Sequence, residues 1–235
     1  MKQDCTPPIT LKAAIKMIKP ELYLELKKKL GLHGTQLLIV SKNQSIEDIL
    51  AYYQLGHRSF GENKVQQLLE KKEKLPKDIE WHLIGPLQKN KIKYIASWIH
   101  CIQSVDSLEL AVAIDTWAKK EGRVIQILAE VKIAKEQTKH GFTMNALESS
   151  IRNNFWTELT NVKFTGLMGM ASYIEDSHQI ANEFASLSTF FRHLKATYPS
   201  CKEISVLSMG MSGDYSIAIA QGSTLVRIGS MLFTQ

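Results

Sequence analysis

The sequence predicts an α/β protein folded as a single (β/α)8 barrel, a TIM barrel, and two observations carry that reading. Short β-branched apolar runs alternate with amphipathic helical patterns along nearly the whole chain, and eight such runs can be counted. Parallel strands need crossovers of about a dozen residues or more, which the intervening helices supply, and eight βα units close most simply into a barrel. An open doubly wound sheet is the competing arrangement on pattern alone. The chain of 235 residues accommodates one such domain, with an N-terminal helix within 1–30 and the barrel over 36–233.

The elements follow in order. Pro7 and Pro8 stand where a helix can start, and Ile15, Ile18, Leu22 and Leu26 recur at helical spacing before Gly31, which predicts a helix near 8–30. "QLLIVS" (36–41) is too short and too β-branched for a helix, and Ser45 with Asp48 reads as a capping box opening a helix to about Leu55. "HRSFGEN" leads to a helix near 64–74, "IEWHLIG" (79–85) to one near 88–98, and "IHCIQSV" (99–105) to one ending at Gly122. "VIQILAEVKI" (124–133) precedes a helix near 143–153, "VKFTGLMGM" (162–170) one near 177–197, and "EISVLSM" (203–209) one near 213–221. "TLVRIGSML" is the eighth strand and nearly ends the chain, so the N-terminal helix is expected to pack outside the barrel over the position an eighth helix would take.

Composition narrows the function. The 29 basic and 23 acidic side chains leave a formal charge of +6, spread along helix faces rather than gathered in a stripe. That surface tolerates anionic ligands, and without an aromatic–basic motif it does not suggest nucleic acid. No run approaches the roughly 20 apolar residues of a membrane span, which points to a soluble, cytoplasmic protein with no membrane partner. Cys5, Cys101 and Cys201 are odd in number and widely spaced, so neither a disulfide framework nor a zinc site is expected, and His57, His100, His178 and His193 lack metal-ligand spacing.

In barrels of this kind chemistry sits at the C-terminal ends of the strands, and the loops after strands seven and eight often hold phosphate. Here those loops are "SMGMSGD" and "RIGS", rich in glycine and hydroxyls. Each alone is an ordinary turn, but together, at the two favoured positions, they suggest a phosphate cradle. No nucleotide-binding glycine pattern is present. Lys42 follows strand one, beside strand eight in a closed barrel, where partial desolvation is expected to free its amine for attack on a carbonyl. A lysine and a phosphate cradle at one mouth suit a pyridoxal phosphate Schiff base. Arg227 on strand eight could then aim at the pyridine nitrogen and keep it unprotonated, while Asn63 and His82 point toward the same mouth.

"VSK" (40–42), "FGENKVQ" (60–66), "EWHLIGPLQKNK" (80–91), "LSMGMSGD" (207–214) and "GSTLVRIGSMLF" (222–233) together resemble the pyridoxal phosphate homeostasis proteins, the YggS/PROSC type. The resemblance implies a barrel like the N-terminal domain of alanine racemase, fold type III, with pyridoxal 5′-phosphate covalently on Lys42. It implies phosphate contacts around Ser208, Met209, Gly229 and Ser230, Arg227 at the ring nitrogen, Asn63 and His82 near the ring, and a peripheral role for Lys139. It implies a cofactor carrier in vitamin B6 balance, a monomer serving apo enzymes that use the cofactor, without robust turnover and with no catalytic residues. A minimal amino-acid racemase is the alternative, although such a reaction needs a second base that one barrel of this length is not expected to supply. Ser45 stands where relatives often carry proline, and the C-terminus is shorter than in relatives.

Overall fold

The computed structural model of the protein describes residues 18–134 and 141–233. Eight parallel strands run in chain order and close on themselves, β1 pairing with both β2 and β8. They are β1 (Gln36–Val40), β2 (Ser59–Glu62), β3 (Glu80–Leu83), β4 (Cys101–Val105), β5 (Ile125–Val131), β6 (Val162–Gly169), β7 (Val206–Ser208) and β8 (Leu225–Ile228). The helices are α1 (Pro20–Leu32), α2 (Ile46–Gln54), α3 (Val65–Lys74), α4 (Leu108–Lys120), α5 (Met144–Arg152), α6 (Phe155–Glu158), α7 (Ser177–Thr197) and α8 (Tyr215–Ala220).

Local chemistry sets the helix starts. The Ser45–Asp48 capping box is formed in both directions, while Ser107, Thr143 and Asp176 accept from the first turns of α4, α5 and α7. The expected N-terminal helix needs correction at its start. It begins at Pro20, because a residue before proline is pushed out of the helical region: Lys19 has ψ of 79° and Ile18 bridges Phe233 instead. The portion expected over 8–17 lies outside the described residues. Gly31 does not stop α1, which runs one residue further.

The segment expected as a helix near 88–98 is a 3-10 helix over Lys89–Tyr94, its turns closed by Lys91 to Gln88 and Ile95 to Ile92 bonds. Ile92 and Ile95 are buried three residues apart, the spacing such a helix places on one side. Helix α6 was not expected from the sequence; it opens after Asn154, whose φ of 59° turns the chain.

Alternation along the strands gives two interiors. Tyr23, Tyr52, Phe60, Leu83 and Phe184 belong to the large apolar layer between strands and helices. Inside the barrel the apolar cluster is small, Cys101, Leu128 and Met168 with Met170 and Val206 against it. Branched aliphatics usually fill a barrel of this size. Here His82, Gln103, Glu130, Ser208 and Arg227 are buried polar residues on strands β3, β4, β5, β7 and β8.

Candidate ligand site at the barrel mouth

Arg227 is the centre of the polar interior. Its Nη1 donates to the Ser208 carbonyl at 2.9 Å and to Ser208 Oγ at 2.7 Å, and its Nη2 donates to the Gly169 carbonyl at 3.0 Å. Ser208 Oγ donates in turn to Gln103 Oε1 at 2.7 Å, and Gln103 Nε2 donates to His82 Nδ1 at 3.0 Å. The amide can only donate from nitrogen, so Nδ1 of His82 carries the lone pair in this arrangement. Burial, reinforced by His100 whose ring lies tilted 5.2 Å away, holds His82 down to about 3, and it is neutral at pH 7. Burial also lowers Arg227 to about 10, which leaves it a cation at neutral pH, with Asp214 and Glu130 acting in the opposite direction. Burial raises Glu130 to about 7, Asp106 adding to the effect and Arg227 opposing it.

These positions correct parts of the sequence reading. Ser208 does not offer its hydroxyl to the loop, because the strand alternation turns it inward onto Gln103 and Arg227. Met209 is fully buried and its N–H is taken by the Leu225 carbonyl at 3.1 Å. His82 lies toward the floor rather than the mouth: with His100, Gln103 and Gln126 it lines a cavity of about 80 Å³ that also touches Gln36, Ser59 and Glu80, the first residues of β1, β2 and β3. Lys42 is exposed rather than partly desolvated, since it leaves the end of β1 on a turn and not within the barrel. Asn63 is half-buried just past β2, its backbone so close to Gly85 that a Cβ there would lie 2.4 Å from the Asn63 carbonyl oxygen. Lys139 lies outside the described residues.

What does meet at the mouth is the β8–β1 seam. Gly229 follows β8 against Val40, where an added Cβ would lie 3.1 Å from the Val40 carbonyl oxygen, two residues before Lys42. The Gly229 N–H donates to Ser212 Oγ at 3.4 Å, joining the loops after β7 and β8. Gly210 makes the turn out of β7 with φ of 96°. Among the described residues, the amides of Ser212, Gly213 and Ser230 have no hydrogen-bond partner, nor does the Lys42 amine. Half-buried Ser212 and exposed Gly213 and Ser230 therefore offer backbone donors to an anion beside a free amine. Ser212 lies in the loop the sequence singled out, whereas Gln103 and Glu130 were missed in the sequence. For both a signal existed, a polar residue inside an otherwise apolar strand.

The comparisons with known proteins agree with this architecture. A family model described as alanine racemase, N-terminal domain, matches residues 23–235. A pyridoxal phosphate homeostasis protein of Vibrio alginolyticus is 37% identical over 205 residues, covering 85% of this chain and 86% of that one. Its namesake in Aquifex aeolicus is 38% identical over 204 residues, covering 86% and 88%. Among solved structures, PipY of Synechococcus elongatus without PLP superposes with a TM-score of 0.85 at 34% identity, over 91% of this chain and 99% of that one. The same protein with PLP bound gives 0.78 over 86% and 93%. An alanine racemase of Clostridium difficile 630, 14% identical with a TM-score of 0.70, shares the fold over 55% of its own length. On the extent of these matches, the chain belongs to the pyridoxal phosphate homeostasis protein family, within the alanine racemase N-terminal domain group.

Proposed function

We propose that this protein binds pyridoxal 5′-phosphate at the C-terminal mouth of the barrel, covalently through Lys42, and serves vitamin B6 homeostasis as a holder of the cofactor. The observation that carries the reading is the β8–β1 seam, where an unpartnered lysine stands beside two linked loops with unpaired backbone donors. When bound, the cofactor would supply an aldehyde able to condense with a primary amine, losing water. Lys42 Nζ is the amine. The loops carrying Ser208, Met209, Gly229 and Ser230 bind the phosphate, through backbone N–H groups more than through the Ser208 hydroxyl. Arg227, cationic and anchored by Ser208 and Gly169, would meet the ring nitrogen and discourage its protonation. Asn63 flanks the ring, and His82 supports Arg227 through Gln103 and Ser208.

A ring nitrogen kept unprotonated weakens the electron sink that amino-acid chemistry needs, which favours storage and delivery over turnover. Recipients would be apo enzymes that use the same cofactor, met by a single-domain monomer in the cytoplasm. Buried free thiols at Cys101 and Cys201 are compatible with that compartment. Among the described residues no helix is long and apolar enough to cross a membrane.

Titration with pyridoxal 5′-phosphate tests the reading. The wild type should bind with a yellow absorption band and Lys42→Ala without it, and inorganic phosphate should compete with both. Equal spectra for the two proteins would contradict the role given to Lys42.

A further inference from the structure

Ser41, the residue before Lys42, is fully buried and held on every side. Its N–H donates to the Gly61 carbonyl at 3.0 Å and its hydroxyl to Glu62 Oε1 at 2.6 Å. Its carbonyl accepts from Gln44 N–H at 3.0 Å and from Lys71 Nζ at 2.7 Å. Lys71, on α3, also donates to Glu62 Oε1 at 2.7 Å, in an ion pair whose side chains are 9% and 0% exposed. Beyond Lys42, the left-handed Asn43 accepts from Gln67 Nε2 at 3.4 Å, one turn before Lys71 on the same helix. Lys42 is thus bracketed by anchors to α3.

Stability alone does not explain such a pair. Taking two charges out of water costs several kcal/mol, and apolar replacements of similar shape often do as well. Glu62 Oε2 is moreover buried without a hydrogen-bond partner. What the pair does accomplish is to tie the ends of β1 and β2 to α3 at the peptide that carries Lys42.

We propose that the buried Glu62–Lys71 pair is a positioning device for Lys42: by clamping Ser41 it fixes the height and direction of the lysine stem at the mouth, and so sets how readily an aldehyde held there becomes attached. This rests on the reading of Lys42 given under Proposed function. Neither residue touches the ligand; both act through the Ser41 backbone and hydroxyl.

The test compares wild type with the neutral double variant Glu62→Gln/Lys71→Met on two ligands. Pyridoxal 5′-phosphate carries the aldehyde; pyridoxine 5′-phosphate has the same ring and phosphate with an alcohol instead and cannot attach. Rapid-mixing absorbance follows attachment to the first, and calorimetry measures affinity for the second. Attachment is expected to slow by about tenfold or more, since misplacing a reacting group by about 1 Å costs up to about a hundredfold. Affinity for pyridoxine 5′-phosphate and the melting temperature should stay near wild type. Attachment at the wild-type rate, or proportional weakening of both ligands, would overturn the proposal in favour of a purely structural pair. Should the double variant fail to fold, Ser41→Ala removes the hydroxyl's bonds to Glu62 and the Gly61 carbonyl and is expected to show the same split in smaller measure; attachment at the wild-type rate, or equal weakening of both ligands, would overturn the proposal equally. If the wild type attaches nothing at Lys42, as read by peptide mass mapping, the reading of the site falls and this inference with it. If the wild type attaches there and the variants do so equally fast, only the inference falls.

Discussion

Glu130 and His82 share the barrel interior and make folding depend on pH in opposite senses. His82 is held at about 3 and His57 at about 4, against an ordinary 6.5, both chiefly by burial. Between those values the unfolded chain binds protons that the native one does not, so their contributions are present above pH 6.5 and are lost as pH falls through the folded values. Glu130 is raised from 4.5 to about 7, so the native state holds its proton more tightly and its contribution, full below pH 4.5, is lost as pH rises through about 7. Glu130→Gln should therefore raise the free energy of unfolding at pH 8 by up to a few kcal/mol, at about 1.4 kcal/mol per pKa unit, with a higher melting temperature there and little change at pH 4.5. Calorimetry at the two pH values checks this; an equal shift at both would contradict it. Gln103 and Glu130 left a sequence signal, polar residues inside apolar strands, that the reading of the strands did not use. Their partners were not, because the Ser208–Gln103 bond joins residues 105 apart, which only barrel closure brings together.

At the level of elements, the caps and turns were written locally and could be read locally, as at Ser45 and Asp48. The 3-10 helix over Lys89–Tyr94 was misjudged because its apolar spacing of three and four fits either helix type, and the contacts beneath decide. The loop after β7 depends on Gly210. An added Cβ there would lie 2.6 Å from the Ala218 Cβ on α8, at a φ side chains rarely adopt. Gly210→Ala should lower stability by about 1–3 kcal/mol and weaken phosphate binding with it. Thermal melts and phosphate titration are the check, and an unchanged melt would contradict it. Helix α1 buries Tyr23, Leu26 and Leu30, packs Tyr23 against Tyr52 and His57, and reaches Ser216 on α8 through Lys29 at 3.4 Å. Tyr52 in turn donates to the Leu232 carbonyl, just past the Gly229–Ser230 loop. Removing residues 1–32 should expose this apolar face, lower the melting temperature and increase binding of a hydrophobic dye; a chain that melts unchanged would show that α1 adds nothing.

For the whole molecule, the alternation of strand and helix was enough to predict the barrel, because each parallel crossover demands a helix and eight units close. The site was less legible. The sequence singled out the glycine-rich loops and Lys42, but which hydroxyl faces inward and which amides stay free follow from strand alternation within a closed barrel, as Ser208 and Ser212 illustrate. His82 is neutral, buried and turned toward the barrel floor, so it is not placed to act as a base at the mouth. The loaded 235-residue chain should not convert L-alanine to D-alanine, nor other amino acids in a panel; sustained conversion abolished by Lys42→Ala would favour the racemase reading.

The most direct single measurement is borohydride reduction of the protein loaded with pyridoxal 5′-phosphate, followed by peptide mass mapping. A stable phosphopyridoxyl group on the peptide carrying Lys42, and on no other, is the expected result. A label spread over surface lysines, or one that forms equally in Lys42→Ala, would contradict the assignment of the barrel mouth as the cofactor site.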